Sequence, residues 1–168
     1  MYRAVDIANY IEEYCKQIKE PIGETKLHKL LYFVQAYSLT MTEDKAPCFS
    51  DRIEAWDYGP VVASLYHMPV IRRHNESSPL DEQTKKVVAH VVDMFAGKTA
   101  TQLEDLTHGQ APWNSVYKKG ANNEISCDAI RSHYHFENDL LATDNERINA
   151  VSAMLLKKNA GAYNRLAQ

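Results

Sequence analysis

The chain has 168 residues, 19 of them Lys or Arg and 22 of them Asp or Glu, so its net charge at neutral pH is −3. This length suits one domain, and a hydrophobic fraction of 45% is typical of a globular protein rather than a disordered or fibrous one. The mild acidity argues against nucleic acid as the main partner. The longest strictly apolar run, residues 30–34, is far shorter than the roughly 20 residues that cross a bilayer.

The three cysteines, Cys15, Cys48 and Cys127, lie far apart, and none belongs to a CxxC pair. This pattern predicts neither a disulfide framework nor a zinc ribbon. The first residues also lack the continuous apolar segment of a signal peptide. We therefore expect a cytoplasmic protein that holds no metal and no cofactor.

Hydrophobic spacing predicts two helices near the start of the chain, at residues 6–19 and 25–41. Thr25 is predicted to cap the second helix, which carries the strongest apolar stripe and is expected to be central. A short strand is predicted at residues 52–57. Because proline suits the first position of a helix, Gly59-Pro60 is predicted to lead directly into a helix over residues 60–67.

Residues 68–79 lack a hydrophobic period and are predicted to form a loop. Its basic patch, Arg72, Arg73 and His74, is typical of solvated surface. The next helix is predicted at residues 81–96, with acidic residues in its first turn.

Four more helices are predicted in the last third of the chain. The first begins at a capping box of Thr101 and Glu104 and runs to His108, and the second starts at Pro112. The third is capped by Ser126 and covers residues 127–136, and the last covers residues 144–159. The fold expected is mainly α, a single compact helical domain with one short β-strand or hairpin before the Gly59-Pro60 turn. Residues 1–137 are expected to form this domain, and residues 138–168 a C-terminal helical extension of it.

Three stretches of the sequence occur in an order that resembles a known family. They are Leu30-Leu31-Tyr32, then Glu54-Ala55-Trp56-Asp57-Tyr58-Gly59-Pro60-Val61-Val62, then Leu106-Thr107-His108 with Pro112-Trp113. They are similar to the KLLYF helix, the AWxYGPVV turn and the LTHxxxPW segment of the Panacea domain, found in SocA-like antitoxins and phage-associated proteins. The resemblance covers roughly residues 7–134. It implies a helical antitoxin that binds a cognate toxin protein, encoded by a neighbouring gene, and holds it inactive.

The residues themselves point to an aromatic surface at the same place. Trp56 and Tyr58 are two positions apart in an extended segment, so their side chains are predicted to point to one side and to form a flat face that Tyr66 extends. Such a face is either core or a docking site, and Trp and Tyr are enriched at protein interfaces. We expect Trp56, Asp57, Tyr58 and Tyr66 to lie nearest the partner.

His108 and Trp113 are expected to shape the platform under that face. His108 is predicted to lie in the last turn of a helix, where the helix dipole favours an imidazolium. The alternative is that its ring binds a buried backbone carbonyl and fixes the turn into Pro112-Trp113. Trp113 is expected to be mainly structural.

Other functions remain open from the sequence. A hydrolase would need a nucleophile with a base, and the candidate groups are Cys48 with His67, or Cys127 with His133 and His135. Neither group comes with a glycine-rich oxyanion loop, and residues at those helical spacings converge poorly on a metal. The protein is therefore expected not to be an enzyme. A proteolytic adaptor that delivers a partner to an energy-dependent protease is a further alternative, and a homodimer through the C-terminal helix is also expected.

Overall fold

A computed structural model describes residues 1–69, 73 and 77–134. In these ranges the chain forms seven helices and one two-stranded antiparallel hairpin. In chain order they are α1 (Ala4–Gln17), α2 (Glu24–Met41), β1 (Ile53–Trp56), β2 (Gly59–Val62), α3 (Ala63–Tyr66), α4 (Glu82–Phe95), α5 (Ala100–His108), α6 (Ala111–Asn114) and α7 (Cys127–His133). The predicted mainly α fold with a short hairpin is confirmed.

Helix α2 is the centre of the core. Every residue from 27 to 39 is buried, because α1, α4, α5, α7 and β2 pack around the helix. A helix covered on all sides needs apolar residues around most of its circumference, which its run of Leu, Tyr, Phe and Val supplies. Phe33 stacks on Phe95 of α4 with ring centroids 4.2 Å apart. Each buried leucine in such a helix stabilises the fold by roughly 2 kcal/mol.

Two predicted helix starts are wrong by one or two residues. Gly23 is the N-cap of α2, and Thr25 lies exposed inside its first turn. In α5 the capping box is formed by Thr99 and Gln102, which exchange hydrogen bonds of 2.9 and 3.1 Å, instead of by Thr101 and Glu104. Two overlapping Thr-x-x-Gln/Glu patterns compete there, and the helix begins at the earlier one.

The predicted helix start at Asp81 and the predicted cap at Ser126 are confirmed. The Asp81 carboxylate accepts a hydrogen bond of 2.7 Å from the backbone N–H of Thr84 at the start of α4. The Ser126 hydroxyl accepts one of 3.1 Å from the backbone N–H of Ala129 at the start of α7. Each satisfies one of the backbone donors that a helix N-terminus leaves free.

The predicted helix beginning at Pro60 is wrong, since Gly59 and Pro60 begin the second strand of the hairpin. Trp56 pairs with Gly59, so the turn consists of Asp57 and Tyr58, and the helix that follows is confined to Ala63–Tyr66. Pro60 fits a strand because its missing N–H falls on the edge that is not paired with β1. The Gly59-Pro60 signal for a helix start is local, and the pairing of these residues with β1 overrides it.

A third extended segment lies on the other side of β1. The N–H of Ala55 donates to the carbonyl of Asn123, and the N–H of Ile125 donates to that of Ile53, both at 2.8 Å. These bonds flank an isolated antiparallel bridge between Glu54 and Glu124. The hairpin is therefore held along its β1 edge by the chain just before α7.

The prediction of a solvated basic patch is wrong for Arg73. Its side chain is only 3% exposed and forms an ion pair with Glu24, with 2.6 Å between Nη2 and Oε1. Its guanidinium also donates to the backbone carbonyls of Leu65 and Met68. Arg73 thus connects the segment after α3 to the first turn of α2. Arg72 and His74 lie outside the described residues.

Some predictions concern residues beyond the described ranges. These are the final helix at 144–159, the domain boundary at residue 137 and the homodimer through the C-terminal helix. The helix predicted at 127–136 ends at His133, three residues before its predicted end, and Tyr134 is its C-cap. Across the residues that are described, no helix combines the length and the apolar character needed to span a membrane.

Candidate partner-binding surface

Three distant segments of the chain meet at Gly59. Its φ of +95° is one that side-chain-bearing residues rarely adopt. A Cβ added there would lie 2.7 Å from Cε of Lys29 and 2.8 Å from Oγ1 of Thr107. Helix α2, the hairpin and α5 therefore approach one another at a point where only glycine fits. These are also the three segments whose motifs carry the family resemblance.

The β2 edge facing α2 is sealed by two side chains from that helix. Lys29 Nζ donates to the carbonyl of Pro60, and the N–H of Val62 donates to Nδ1 of His28, both at 3.2 Å. They take the place of a neighbouring strand on an edge that would otherwise leave backbone groups unpaired. Burial lowers the pKa of His28 to about 4 and that of Lys29 to about 8.

The hairpin turn is braced from below by the LTHGQAPW segment and the residues after it. Trp113 Nε1 donates to the carbonyl of Trp56 at 3.1 Å. The Trp113 ring lies between two other rings, with centroids 3.9 Å from His108 and 4.3 Å from Tyr117. The Tyr117 hydroxyl donates to Oδ1 of Asp57 at 3.1 Å. The N-terminal side of the turn, Trp56 and Asp57, is thus fixed to one aromatic stack.

The structure contradicts one of the two predicted roles of His108. Burial lowers the pKa of its imidazole, so the prediction of a favoured imidazolium at the helix end is wrong. The desolvation of the ring outweighs the dipole of a short helix. The imidazole also makes a hydrogen bond to the backbone of Asp57. The alternative role placed such a bond in the turn into Pro112-Trp113, whereas the structure places it in the hairpin turn.

Gln110 anchors the same segment in the core. Its Oε1 accepts hydrogen bonds from the hydroxyls of Tyr32 at 2.9 Å and Tyr134 at 2.5 Å. All three residues are buried. One amide oxygen therefore links the platform to α2 and to the end of α7, and a buried network of this kind holds a single arrangement when its members are satisfied.

Above the platform, several large side chains face solvent. Tyr58 in the turn is 70% exposed and Tyr66 in α3 is 49% exposed, while Trp56 is half-buried and Asp57 is exposed. We call Trp56, Asp57, Tyr58 and Tyr66 the hairpin surface. Large aromatic residues are usually mostly buried, so an exposed set on a braced turn is informative.

The aromatic grouping differs from the predicted one. The Trp56 ring contacts Tyr66, with centroids 4.9 Å apart in an edge-on arrangement, and lies 6.0 Å from His67. Tyr58 makes no ring contact among the described residues, because it lies in the turn rather than in a strand. The predicted flat face of Trp56 and Tyr58 is therefore replaced by a Trp56–Tyr66 pair with Tyr58 projecting separately.

The structure brings all six predicted site residues to the hairpin and its support. Trp56, Asp57, Tyr58 and Tyr66 lie on the outside, and His108 and Trp113 lie underneath. Sequence reasoning did not single out Lys29 or Thr107, which contact the hairpin at Gly59. A lysine within the apolar run of α2 was a usable signal, because a buried ammonium needs a specific acceptor.

The candidate catalytic groups lack the features of activated nucleophiles. Burial raises the pKa of the Cys48 thiol to about 12, whereas a reactive cysteine needs a lowered pKa. The Gln35 amide donates to Cys127 Sγ at 3.7 Å, and His133 lies against Tyr134, while His135 falls outside the described ranges. Within those ranges no three His, Cys, Asp or Glu side chains are grouped to hold a metal ion.

Comparison with curated proteins and with solved structures gives no significant match. A family model does match: that of the SocA-like antitoxin, Panacea domain, over residues 27–114. The matched region begins in α2 and ends with α6, so it contains the hairpin, its platform and the Gly59 junction. The match spans more than half of the chain, and the protein belongs to the family of SocA-like antitoxins with a Panacea domain.

Proposed function

We propose that this protein neutralises a cognate toxin by binding it directly through the hairpin surface. The role is not enzymatic: the toxin, encoded by a neighbouring gene and present in the cytoplasm, is held inactive because its active surface is covered. Membership of an antitoxin family supports the general role. The observation that carries the binding mode is the 70% exposure of Tyr58 in a turn whose N-terminal side is fixed by hydrogen bonds from Trp113 and Tyr117.

The bracing matters energetically. A loop that must be ordered on binding loses conformational entropy, and a turn already fixed by its scaffold loses less. Truncating a tyrosine or tryptophan anchor at the centre of an interface often reduces the binding free energy by about 2 kcal/mol or more. A rigid turn that presents Tyr58 beside the Trp56–Tyr66 pair has both properties.

Co-expression with the product of the adjacent gene tests the proposal. We expect that product to arrest growth when it is produced alone, growth to be restored by this protein, and the two to copurify. If the neighbouring product is harmless alone, or if the two proteins do not form a complex, toxin neutralisation by binding is wrong. A toxin whose level falls faster in a chase experiment when this protein is present would instead indicate a proteolytic adaptor.

The variant Tyr58→Ala tests the surface itself. Because the side chain is mostly exposed, we expect the free energy of unfolding to change by no more than about 0.5 kcal/mol. Toxin binding, measured by calorimetry, is expected to weaken by a factor of roughly 30, corresponding to about 2 kcal/mol. Tyr10→Ala is a control away from the hairpin surface, since Tyr10 lies on α1 and stacks on Tyr14; because Tyr10 is partly buried against the core, its free energy of unfolding is measured as well. Equal affinities for the two variants would show that Tyr58 is not at the interface.

A further inference from the structure

The charges beside the hairpin surface identify the chemistry of what docks there. The bridge between β1 and the segment before α7 sets Glu54 directly opposite Glu124. The backbone hydrogen bonds lie on either side of this pair, at Ala55 and Ile125, so it is of the non-hydrogen-bonded kind. In that geometry the two side chains project from the same face, with their Cα atoms roughly 4.5 Å apart.

Two carboxylates directly opposite each other are unfavourable in a sheet. Glu124 is compensated by Arg52, with 2.7 Å between Nη2 and Oε2. Glu54 has a weaker compensation, because it accepts one hydrogen bond of 2.8 Å from the neutral indole N–H of Trp56. Among the described residues, no cation forms an ion pair with Glu54. The hairpin thus places a carboxylate that lacks an ion-pair partner among the described residues at the edge of the Trp56–Tyr66 pair.

The bond from Trp56 to Glu54 joins that charge to the hairpin surface. It holds the carboxylate at the indole edge, while the ring of Tyr66 packs against the same indole. A cation that approaches Glu54 therefore also meets aromatic rings, which attract cations through their faces. A guanidinium satisfies all of these groups best, since it is planar, stacks on aromatic rings and donates two parallel hydrogen bonds to a carboxylate.

We propose that the protein partner docks an arginine against the Glu54 carboxylate and the adjacent Trp56–Tyr66 pair. This inference rests on the proposed function and adds the chemistry of the contact. The arginine gives Glu54 the ion-pair partner that it lacks among the described residues, so that the like-charge repulsion that remains in the free protein is relieved in the complex. Binding is therefore expected to weaken as salt concentration rises.

The variant Glu54→Gln tests the charge with little change of shape. Its amide oxygen still accepts the indole hydrogen bond, so we expect the melting temperature of the free protein to stay the same or rise as the repulsion is removed. Affinity for the copurified partner is expected to fall tenfold or more, with a smaller salt dependence. Glu13→Gln, an exposed site on α1, serves as the matched control and is expected to bind normally.

An arginine scan of the partner identifies the other half of the contact. We expect one Arg→Met change to be non-additive with Glu54→Gln by tenfold or more in a double-mutant cycle, and Lys at that position to restore binding only in part. Unchanged affinity of Glu54→Gln, or no partner arginine that couples to it, would overturn the inference. If Tyr58→Ala still weakens binding in that case, the proposed function stands. Failure of any complex to form overturns both.

Discussion

Gly59 is the residue on which the hairpin depends most directly. Its left-handed φ would strain any other residue, and a Cβ would meet Lys29 and Thr107 at less than 3 Å. We expect Gly59→Ala to lower the free energy of unfolding by about 2 kcal/mol or more, the range found for strained backbone positions and overpacked sites. Urea denaturation followed by far-UV circular dichroism measures this change.

Gly97→Ala is the matched control for that experiment. Nothing lies within 4 Å of a Cβ added at Gly97, and its φ is outside the positive range. The same chemical change should therefore alter stability by no more than about 0.5 kcal/mol. Similar losses in the two variants would mean that the close approach at Gly59 has no energetic importance.

At the scale of single residues, the sequence could identify residues of the candidate site but not all of the contacts that they make. Trp56, Tyr58 and Trp113 stood out as aromatics within motifs, and each lies at the hairpin or its support. Which of them is covered depends on partners 50 or more residues away in the chain, such as Trp113 for the Trp56 carbonyl. A local pattern carries no information on such pairings, so the bond from Trp113 to the Trp56 carbonyl was not predicted.

At the scale of elements, the hairpin is held on both of its edges, by side chains along β2 and by backbone hydrogen bonds along β1. Lys29 and His28 seal β2, and the segment ending at Ile125 pairs with β1. Without these contacts, a two-stranded hairpin is marginally stable in water. This arrangement also explains why Gly59-Pro60 misled the prediction. The helix-start signal is local, whereas the strand is stabilised by α2, which lies more than 20 residues earlier.

The buried ammonium of Lys29 gives this arrangement a measurable pH dependence. Its pKa is about 8 in the folded protein against 10.5 for an exposed lysine. Between these values the unfolded chain binds a proton that the folded protein does not, so this group's contribution to stability increases as pH rises from 8 to 10.5. The full change is on the order of 3 kcal/mol.

We therefore expect Lys29→Met to lose that increase. Other groups oppose it: burial raises the pKa of Cys48 and Tyr134, which destabilises the folded protein at high pH. The informative quantity is thus the difference in free energy of unfolding between parent and variant, measured from pH 7 to 10.5. Lys26→Met on the same helix is the control, because Lys26 is only partly buried. A difference that stays constant with pH would mean that Lys29 titrates in the folded protein as it does in the unfolded one.

At the scale of the whole molecule, ion pairs and hydrogen bonds near the start of the chain hold the segment between the hairpin and α4. Glu24 in α2 binds Arg73, with His28 donating to the same carboxylate at 3.2 Å. Asp6 in α1 pairs with Arg3 and accepts the N–H of Ser78 at 2.8 Å. The core pattern of α1, α2 and α4 was readable from sequence. The links of Glu24 to Arg73 and of Asp6 to Ser78 were not, because they join residues 49 and 72 positions apart.

The stability that His28, Asp6 and Glu24 contribute to the fold falls in acid. The pKa of His28 is about 4, since burial disfavours its charged form. The unfolded chain, in which a histidine titrates near 6.5, therefore binds an extra proton between pH 6.5 and 4. Folded-state stability falls over that window, by roughly 3 kcal/mol from His28 alone. The pKa values of Asp6 and Glu24 are lowered in the fold despite desolvation, through their hydrogen bonds to Ser78 and Arg73, so stability falls further below pH 4.

Denaturation from pH 7 to 3 tests this directly. We expect His28→Gln to abolish most of the decrease in the free energy of unfolding between pH 6.5 and 4, while the decrease below pH 4 persists because Asp6 and Glu24 are intact. His67→Gln, which alters an exposed histidine, should keep the profile of the parent. Arg73→Met should instead reduce the decrease below pH 4, because Glu24 then lacks the cation that stabilises its carboxylate. If His28→Gln leaves the decrease between pH 6.5 and 4 unchanged, the bond from Val62 to His28 does not depend on a neutral imidazole. Another group must then account for the loss of stability in acid.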